Sequence, residues 1–268
     1  MKKSAWAWVG TALAAGTWLY RENTKIEAEL IPVALDGLPP EFYGMKLAVV
    51  ADWHLPQKSA HIDRVLALIA LQKPDGILIA GDLTNSYADW DEEGFAAAAA
   101  RLAAIAPCYA VAGNHEKRLH RLEPYARVLR RAGVAVLYDQ WVPLERAGRQ
   151  IGLYGVLRQK PQPLSPDCPR PIIALAHHPR FFSWYAQAGW DLTICGHAHG
   201  GQVRLGKQGL YAPGEGTLPQ YTSGLYHRGR AQMVVSRGLG NSSFPLRFGN
   251  RFHLPVLVLA SRTEKAGE

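Results

Sequence analysis

Cysteine is scarce. Three occur in 268 residues, at Cys108, Cys168 and Cys195. An odd number at wide spacing makes no disulfide framework and no C-x-x-C zinc site. A metal site in this chain must therefore draw on His, Asp, Glu or Asn. Acid is the minority charge, with 22 Asp and Glu against 30 Lys and Arg, a formal balance of +8. The basic excess is spread along the body. It favours anionic partners such as phosphate groups, anionic lipid heads, wall polymers or nucleic acid, and does not choose among them. Plain solubility charge accounts for it equally well. Basic runs and base-stacking modules are missing, so nucleic acid is not an expected partner. There is no internal repeat, no twin-arginine export pair and no low-complexity tract beyond the alanines at 96–100. Charged residues make up only 19% and hydrophobic residues 48%. That composition is globular, and the length is enough to bury a sizeable core.

One long uncharged run is present. Residues 4–20 follow Lys2 and Lys3 and end before Arg21 and Glu22. Its 17 residues lie at the lower edge of the roughly 17–25 that a spanning helix needs. Trp6, Trp8, Trp18 and Tyr20 sit near its ends, as interfacial aromatics do. Three readings compete: a signal anchor with the body outside, a signal peptide cleaved near Ala12-Leu13-Ala14, and a short peripheral helix. The aromatic flanks and the positive-inside logic favour an uncleaved membrane anchor over residues 1–22, with an extracytoplasmic body. Residues 23–44 read as an extended lead-in, with Pro32, Pro39 and Pro40 breaking helices. The main domain is expected over 45–262, with a tail at 263–268.

Within the body, short apolar runs predict buried strands at 46–51, 76–80, 108–112, 172–176 and 192–195. Further strands are expected at 134–137, 151–155, 231–236 and 254–259. Helical spacing predicts helices over 61–72, 91–105 and 125–132. Residues 200–230 read largely as glycine-rich polar loop. Strands alternating with helices imply a layered α/β fold.

Polar residues gather at the carboxyl ends of five of these strands. They are Asp52-x-His54, Gly81-Asp82, Gly113-Asn114-His115-Glu116, His177-His178 and Gly196-His197-x-His199. In open α/β sheets, side chains converge outside the strand carboxyl ends. Imidazole and oxygen donors without thiolate suit Mn, Fe, Zn or similar divalent ions. A pair of ions needs a bridging carboxylate, and Asp82 is the natural candidate.

This ordered set of motifs resembles the calcineurin-like metallophosphoesterase superfamily over residues 46–260. The stretches 196–204 and 236–250 look like its bacterial membrane- or envelope-associated branch, which includes YkuE- and YaeI-like phosphodiesterases and some UDP-2,3-diacylglucosamine hydrolases. The resemblance implies a β-sandwich flanked by helices and two divalent metal ions. It implies that Asp52, His54 and His199 hold the first ion, that Asp82 bridges, and that Asn114, His177 and His197 complete the second. It assigns His115 to protonating or polarising the leaving oxygen, and in-line attack of a metal-activated hydroxide on a phosphodiester or diphosphate as the reaction. The chain departs from the family pattern at Asn85, where many relatives carry an acid, and at Ala176-His177-His178-Pro179, where they read S-H-x-P. His178 can compete with His177 as ligand.

Gly201, Gln202 and Arg204 are candidate substrate contacts, through close backbone approach and guanidinium–phosphate pairing. Arg237, Arg247 and Arg251 can also bind phosphate or a diphosphate bidentately, but read first as solvated basic surface. His61 and His120 read as surface residues, and His227 and His253 as structural or surface ones. At least two of Phe181, Phe182, Trp184 and Tyr185 are expected to pack in the core. A phosphodiesterase at the membrane is the leading expectation. The alternatives are a lipid-linked diphosphate hydrolase of the UDP-2,3-diacylglucosamine type and a non-enzymatic, metal-dependent envelope-binding protein.

Overall fold

Strands buried on both faces follow from runs such as Gly76–Ala80 (GILIA), in which every residue is buried. The computed structural model describes residues 2–86, 89–118, 121–158, 165–212, 214–241 and 244–262. In chain order the first half contains α1 (Lys2–Glu22), β1 (Ile26–Leu35), β2 (Lys46–Val50), α2 (Ser59–Gln72), β3 (Gly76–Ala80), α3 (Glu92–Ala103), β4 (Cys108–Val111), α4 (Asn114–Lys117), α5 (Leu122–Arg131) and β5 (Ala135–Val136). The second half contains β6 (Gln140–Arg146), β7 (Arg149–Gly155), β8 (Ile172–Leu175), α6 (Phe182–Gln187), β9 (Leu192–Cys195), β10 (Val203–Leu205), β11 (Gln208–Ala212), β12 (Gly216–Thr217), β13 (Gly224–Arg228), β14 (Ala231–Val235) and β15 (Phe252–Ser261).

Two six-stranded sheets form, in the orders β1-β15-β2-β3-β4-β5 and β13-β14-β9-β8-β7-β6. Alternate residues decide the layers. Leu47, Val49, Leu78 and Val111 of the first sheet meet Leu153, Ile173, Leu175, Ile194 and Val234 of the second. Their neighbours Ala48, Val50, Ile77 and Ile79 face the other way, toward Val65, Ile69, Phe95 and Leu129 of the flanking helices. Phe182 and Tyr185 of α6 cover the outer face of the second sheet. The result is the layered sandwich flanked by helices. Truncating one fully buried aliphatic here, such as Ile79→Ala, carries a destabilisation of about 2–5 kcal/mol.

Three regions differ from the sequence reading. The lead-in is extended, but its residues 26–35 join the first sheet, pairing in parallel with β15 from Ile26↔Phe252 to Leu35↔Ser261. Pro32 is tolerated because β1 is an edge strand. The stretch expected as loop at 200–230 contains a three-stranded sheet, β10-β11-β12, and the hairpin strand β13. These strands are short and half-exposed, so no apolar run announces them.

Among the described residues no helix is long and apolar enough to cross a membrane. The expected spanning anchor is not confirmed: α1 is helical, but its alanines with Gly10, Gly16, Thr11 and Thr17 dilute its hydropathy. Its end is tied to the body. Asn23 Nδ2 donates to the Arg247 carbonyl at 2.9 Å, and Asn23 Oδ1 accepts the Arg247 N–H at 2.7 Å. Trp18 meets Phe248 edge-on, with centroids 4.7 Å apart.

Candidate metal centre

Parallel strands whose carboxyl ends point the same way deliver the polar segments to one place. Asp52 and His54 follow β2, Asp82 follows β3, and Asn114 and His115 open α4 after β4. From the other sheet, His177 follows β8, and His197 and His199 follow β9. The ends are knitted together by backbone bonds from Asp52 N–H to the Gly81 carbonyl and from His54 N–H to the Asp82 carbonyl, both 3.1 Å. Gly81 has φ +89°, and a Cβ there would meet Gly113 N at 2.6 Å and His177 Nδ1 at 2.8 Å. Only glycine permits that approach.

The backbone is strained where the donors sit. Asp52, His54, Asp82, His197 and His199 all take left-handed φ values between 46° and 69°. For non-glycine residues this costs about 1–3 kcal/mol each, and such strain concentrates at functional sites.

The donors meet in overlapping groups whose ligand atoms lie within 4.8 Å of one another: Asp52, His54 and His199; His54, Asp82 and His115; Asp82, His177 and His197. His177 Nε2 is 3.1 Å from Asp82 Oδ2 and 3.1 Å from Asn114 Oδ1. His54 Nε2 and His199 Nε2 face each other at 3.1 Å. The structure thus brings together every residue expected to hold metal, all of them buried or, for Asn114, half-buried.

Tautomers follow from fixed partners. His177 Nδ1 lies 2.8 Å from the Ala80 carbonyl, which can only accept. Nδ1 therefore carries a hydrogen, and Nε2 is the nitrogen that faces Asp82 and Asn114. His115 is the reverse. Its Nδ1 accepts the Ser86 N–H at 2.9 Å, so neutral His115 carries its hydrogen on Nε2. That Nε2 lies 3.9 Å from Asp82 Oδ2.

The electrostatics fit a cation. Burial pulls His54 and His197 down to about 3 and drives His199 below its ordinary value, so all three are neutral donors at pH 7. Burial raises Asp52 to about 7, with the negative charge of Asp82 adding to it. Burial also opposes ionisation of Asp82, but His177 beside it holds the carboxyl well below the usual range. In return, Asp82 lifts His177 to about 9 against its own burial. A proton shared by two such donors is what a divalent ion would displace on binding there. Imidazoles facing one another around two buried carboxylates are the donor set such ions require.

Glu116 braces this centre, a role that the sequence did not disclose. Its carboxylate accepts N–H bonds from Asp82, Thr84 and Gly113 and the Thr84 hydroxyl, all at 2.8–2.9 Å. Arg247 departs from the sequence expectation too. It is fully buried, not solvated. It donates to the carbonyls of Arg237 and Gly240, and its Nη2 lies 3.4 Å from His199 Nδ1. His61 is buried as well, 2.6 Å from the Leu239 carbonyl. His120 lies outside the described residues.

The candidate substrate contacts hold the loop after His199. Gly201 is buried in a short turn. Gln202 Nε2 donates to the carbonyls of Phe244 and Leu246. Arg204 donates to the carbonyls of Gly200 and Lys207 and to Thr222 Oγ1. It also lines a cavity of about 590 Å³ with Glu27, Glu29 and Arg237.

The sequence model described as calcineurin-like phosphoesterase matches residues 45–201. The chain is 32% identical to "Phosphodiesterase YaeI" of Escherichia coli K12, across 80% of this chain and 82% of that one. It is 27% identical to the uncharacterised metallophosphoesterase YkuE of Bacillus subtilis, across 90% of this chain and 88% of that one. Among solved structures, TT1561 of Thermus thermophilus superposes with a TM-score of 0.48 at 13% identity, across 73% of this chain and 90% of that one.

Proposed function

The chain belongs to the calcineurin-like phosphoesterase family and is a metal-dependent phosphoester hydrolase; from that premise we propose that it cleaves a phosphodiester or diphosphate on two divalent ions bridged by Asp82. The observation that carries this reading is the double membership of Asp82, which shares one donor group with His54 and another with His177 and His197. Asp52, His54 and His199 would hold the first ion, and Asn114, His177 and His197 the second. Mn, Fe and Zn all suit the donors. Such ions, when bound, supply Lewis acidity toward phosphate oxygens and a nucleophile at neutral pH.

The remaining work belongs to the chain. His115 presents Nε2–H beside Asp82, positioned to polarise the departing oxygen through a hydrogen bond, and a placed donor of this kind contributes about 10²–10³-fold in general. Burial lowers the His115 pKa and so favours this neutral form. Glu116 fixes the backbone at Asp82 and Gly113, and Arg247 stands against the His199 ring.

A lipid-linked diphosphate substrate is the second reading. It is supported by exposed apolar residues near the centre. Phe244 and Leu246, whose carbonyls Gln202 holds, are 50% and 49% exposed, and Phe248 beside Trp18 is 52% exposed. Attachment to a membrane through α1, with the body on the extracytoplasmic side, belongs to the same proposal. Flotation of the full chain with anionic liposomes, lost on removal of residues 1–22, supports it, and no flotation contradicts it.

The decisive assay compares bis-p-nitrophenyl phosphate with p-nitrophenyl phosphate in added manganese. Diester turnover abolished by Asp82→Ala is the expected result. Equal turnover in the two proteins contradicts the bridged centre.

A further inference from the structure

A histidine that ligates a metal through one nitrogen is oriented by whatever meets the other. His197 has such a contact, and it comes from a turn within the stretch expected as loop. Strands β11 and β12 pair at Ala212↔Gly216, and the turn between them places Gly214 and Glu215 against the ring. A Cβ at Gly214 would stand 2.8 Å from His197 Nε2, so the turn lies directly on that edge. Gly214 takes φ +83°, which excludes most other residues there in any case.

Glu215 Oε1 is 3.5 Å from His197 Nε2. Both atoms are buried, and neither has a hydrogen-bond partner. Buried polar atoms are seldom left so, because an unmade bond costs about 1–3 kcal/mol. Each is the other's nearest complement, an N–H donor facing a carboxylate. Two further contacts hold the arrangement. Arg180 Nη1 donates to the Gly214 carbonyl at 3.3 Å and lies 3.9 Å from Glu215 Oε1. The His178 ring packs edge-on against His197, with centroids 4.2 Å apart.

We propose that Glu215 is a positioning residue, which takes the Nε2 hydrogen of His197 and so keeps Nδ1 of that ring turned toward Asp82 and His177. The carboxylate makes Nδ1 the more basic nitrogen and fixes its direction, and both raise its affinity for the ion shared with His177. This inference rests on the two-ion reading above. It adds a residue outside the expected ligand set and gives the turn at 214–215 a purpose.

The test counts ions rather than turnover. The full chain is titrated with Mn(II) against a competing chelator, as wild type, Glu215→Ala and Glu215→Gln, with melting temperatures recorded in EDTA. Glu215→Ala is expected to weaken one of two ions about 10–100-fold and to leave the other unchanged. Glu215→Gln, whose amide oxygen can accept the same hydrogen, is expected to restore part of the loss. Four results overturn the proposal. Unchanged affinity for both ions removes the positioning role. Equal weakening of both ions with a lowered melting temperature in EDTA makes Glu215 merely structural. Three ions in wild type and two in Glu215→Ala make it a ligand, since Glu215, His178 and His197 also gather their donor atoms within 4.8 Å. A wild type that binds no ion at all overturns the two-ion reading together with this one.

Discussion

His115 Nδ1 accepts the backbone N–H of Ser86 at 2.9 Å, and this contact decides which end of the imidazole carries the hydrogen. A backbone N–H cannot accept, so the Nε2 end faces Asp82 as the donor. Replacing His115 with Ala or Gln should lower kcat by about 10²–10³-fold while two ions still bind. The loss should grow as the leaving group becomes more basic, and should be smallest for nitrophenyl esters. A uniform loss across a series of leaving groups would remove the role at the departing oxygen.

Glu116 satisfies four donors with one buried carboxylate. Glu116→Ala should destabilise the apo protein by about 3–5 kcal/mol, because it strands three backbone N–H groups in the interior. For a chain of this length each kcal/mol moves Tm by about 2–4 °C, so thermal melts in EDTA resolve the effect. A Tm within one or two degrees of wild type would show that the Asp82 loop holds itself.

His253 and Glu29 give the protein an acid-sensitive joint between β15 and β1. His253 Nε2 lies 2.8 Å from Glu29 Oε2, and the imidazole is fully buried. Burial lowers the His253 pKa to about 4, although the bond to Glu29 pulls upward. The unfolded chain, with an ordinary histidine, binds the proton first. Stability is therefore complete above about pH 6.5 and declines as the pH falls toward 4, by up to about 3 kcal/mol from this residue. Glu29, held below its ordinary value chiefly by the bond from His253, acts in the same direction at lower pH. His253→Gln should flatten Tm against pH between 6.5 and 4 relative to wild type. Parallel curves would assign the acid sensitivity to the metal centre alone.

Much of the centre was legible in the sequence, because each donor follows a short apolar strand and the chemistry is local. Asp82 after GILIA and His197 after LTIC need only the end of a run to be placed. The supports were not legible, because they arrive from far along the chain. Arg247 reads like any surface arginine until Asn23 and Gly240 enclose it. His253 reads as neutral in significance until β1, more than two hundred residues earlier, lies beside it. Glu215 sits in a stretch where glycines conceal short antiparallel strands. The amino-terminal run is the less legible part: its length and aromatic ends suggest a span, but alanine, glycine and threonine dilute its hydropathy, and no described helix is long and apolar enough to cross a membrane.

Everything proposed for the centre depends on Asp82 joining two metal ions. Anomalous diffraction from crystals of the full chain grown with Mn(II) shows whether it does. Two peaks about 3.5–4 Å apart are expected, both in contact with Asp82, one beside His54 and His199 and the other beside His177 and His197. A single peak, or two peaks of which only one touches Asp82, would contradict the bridged centre.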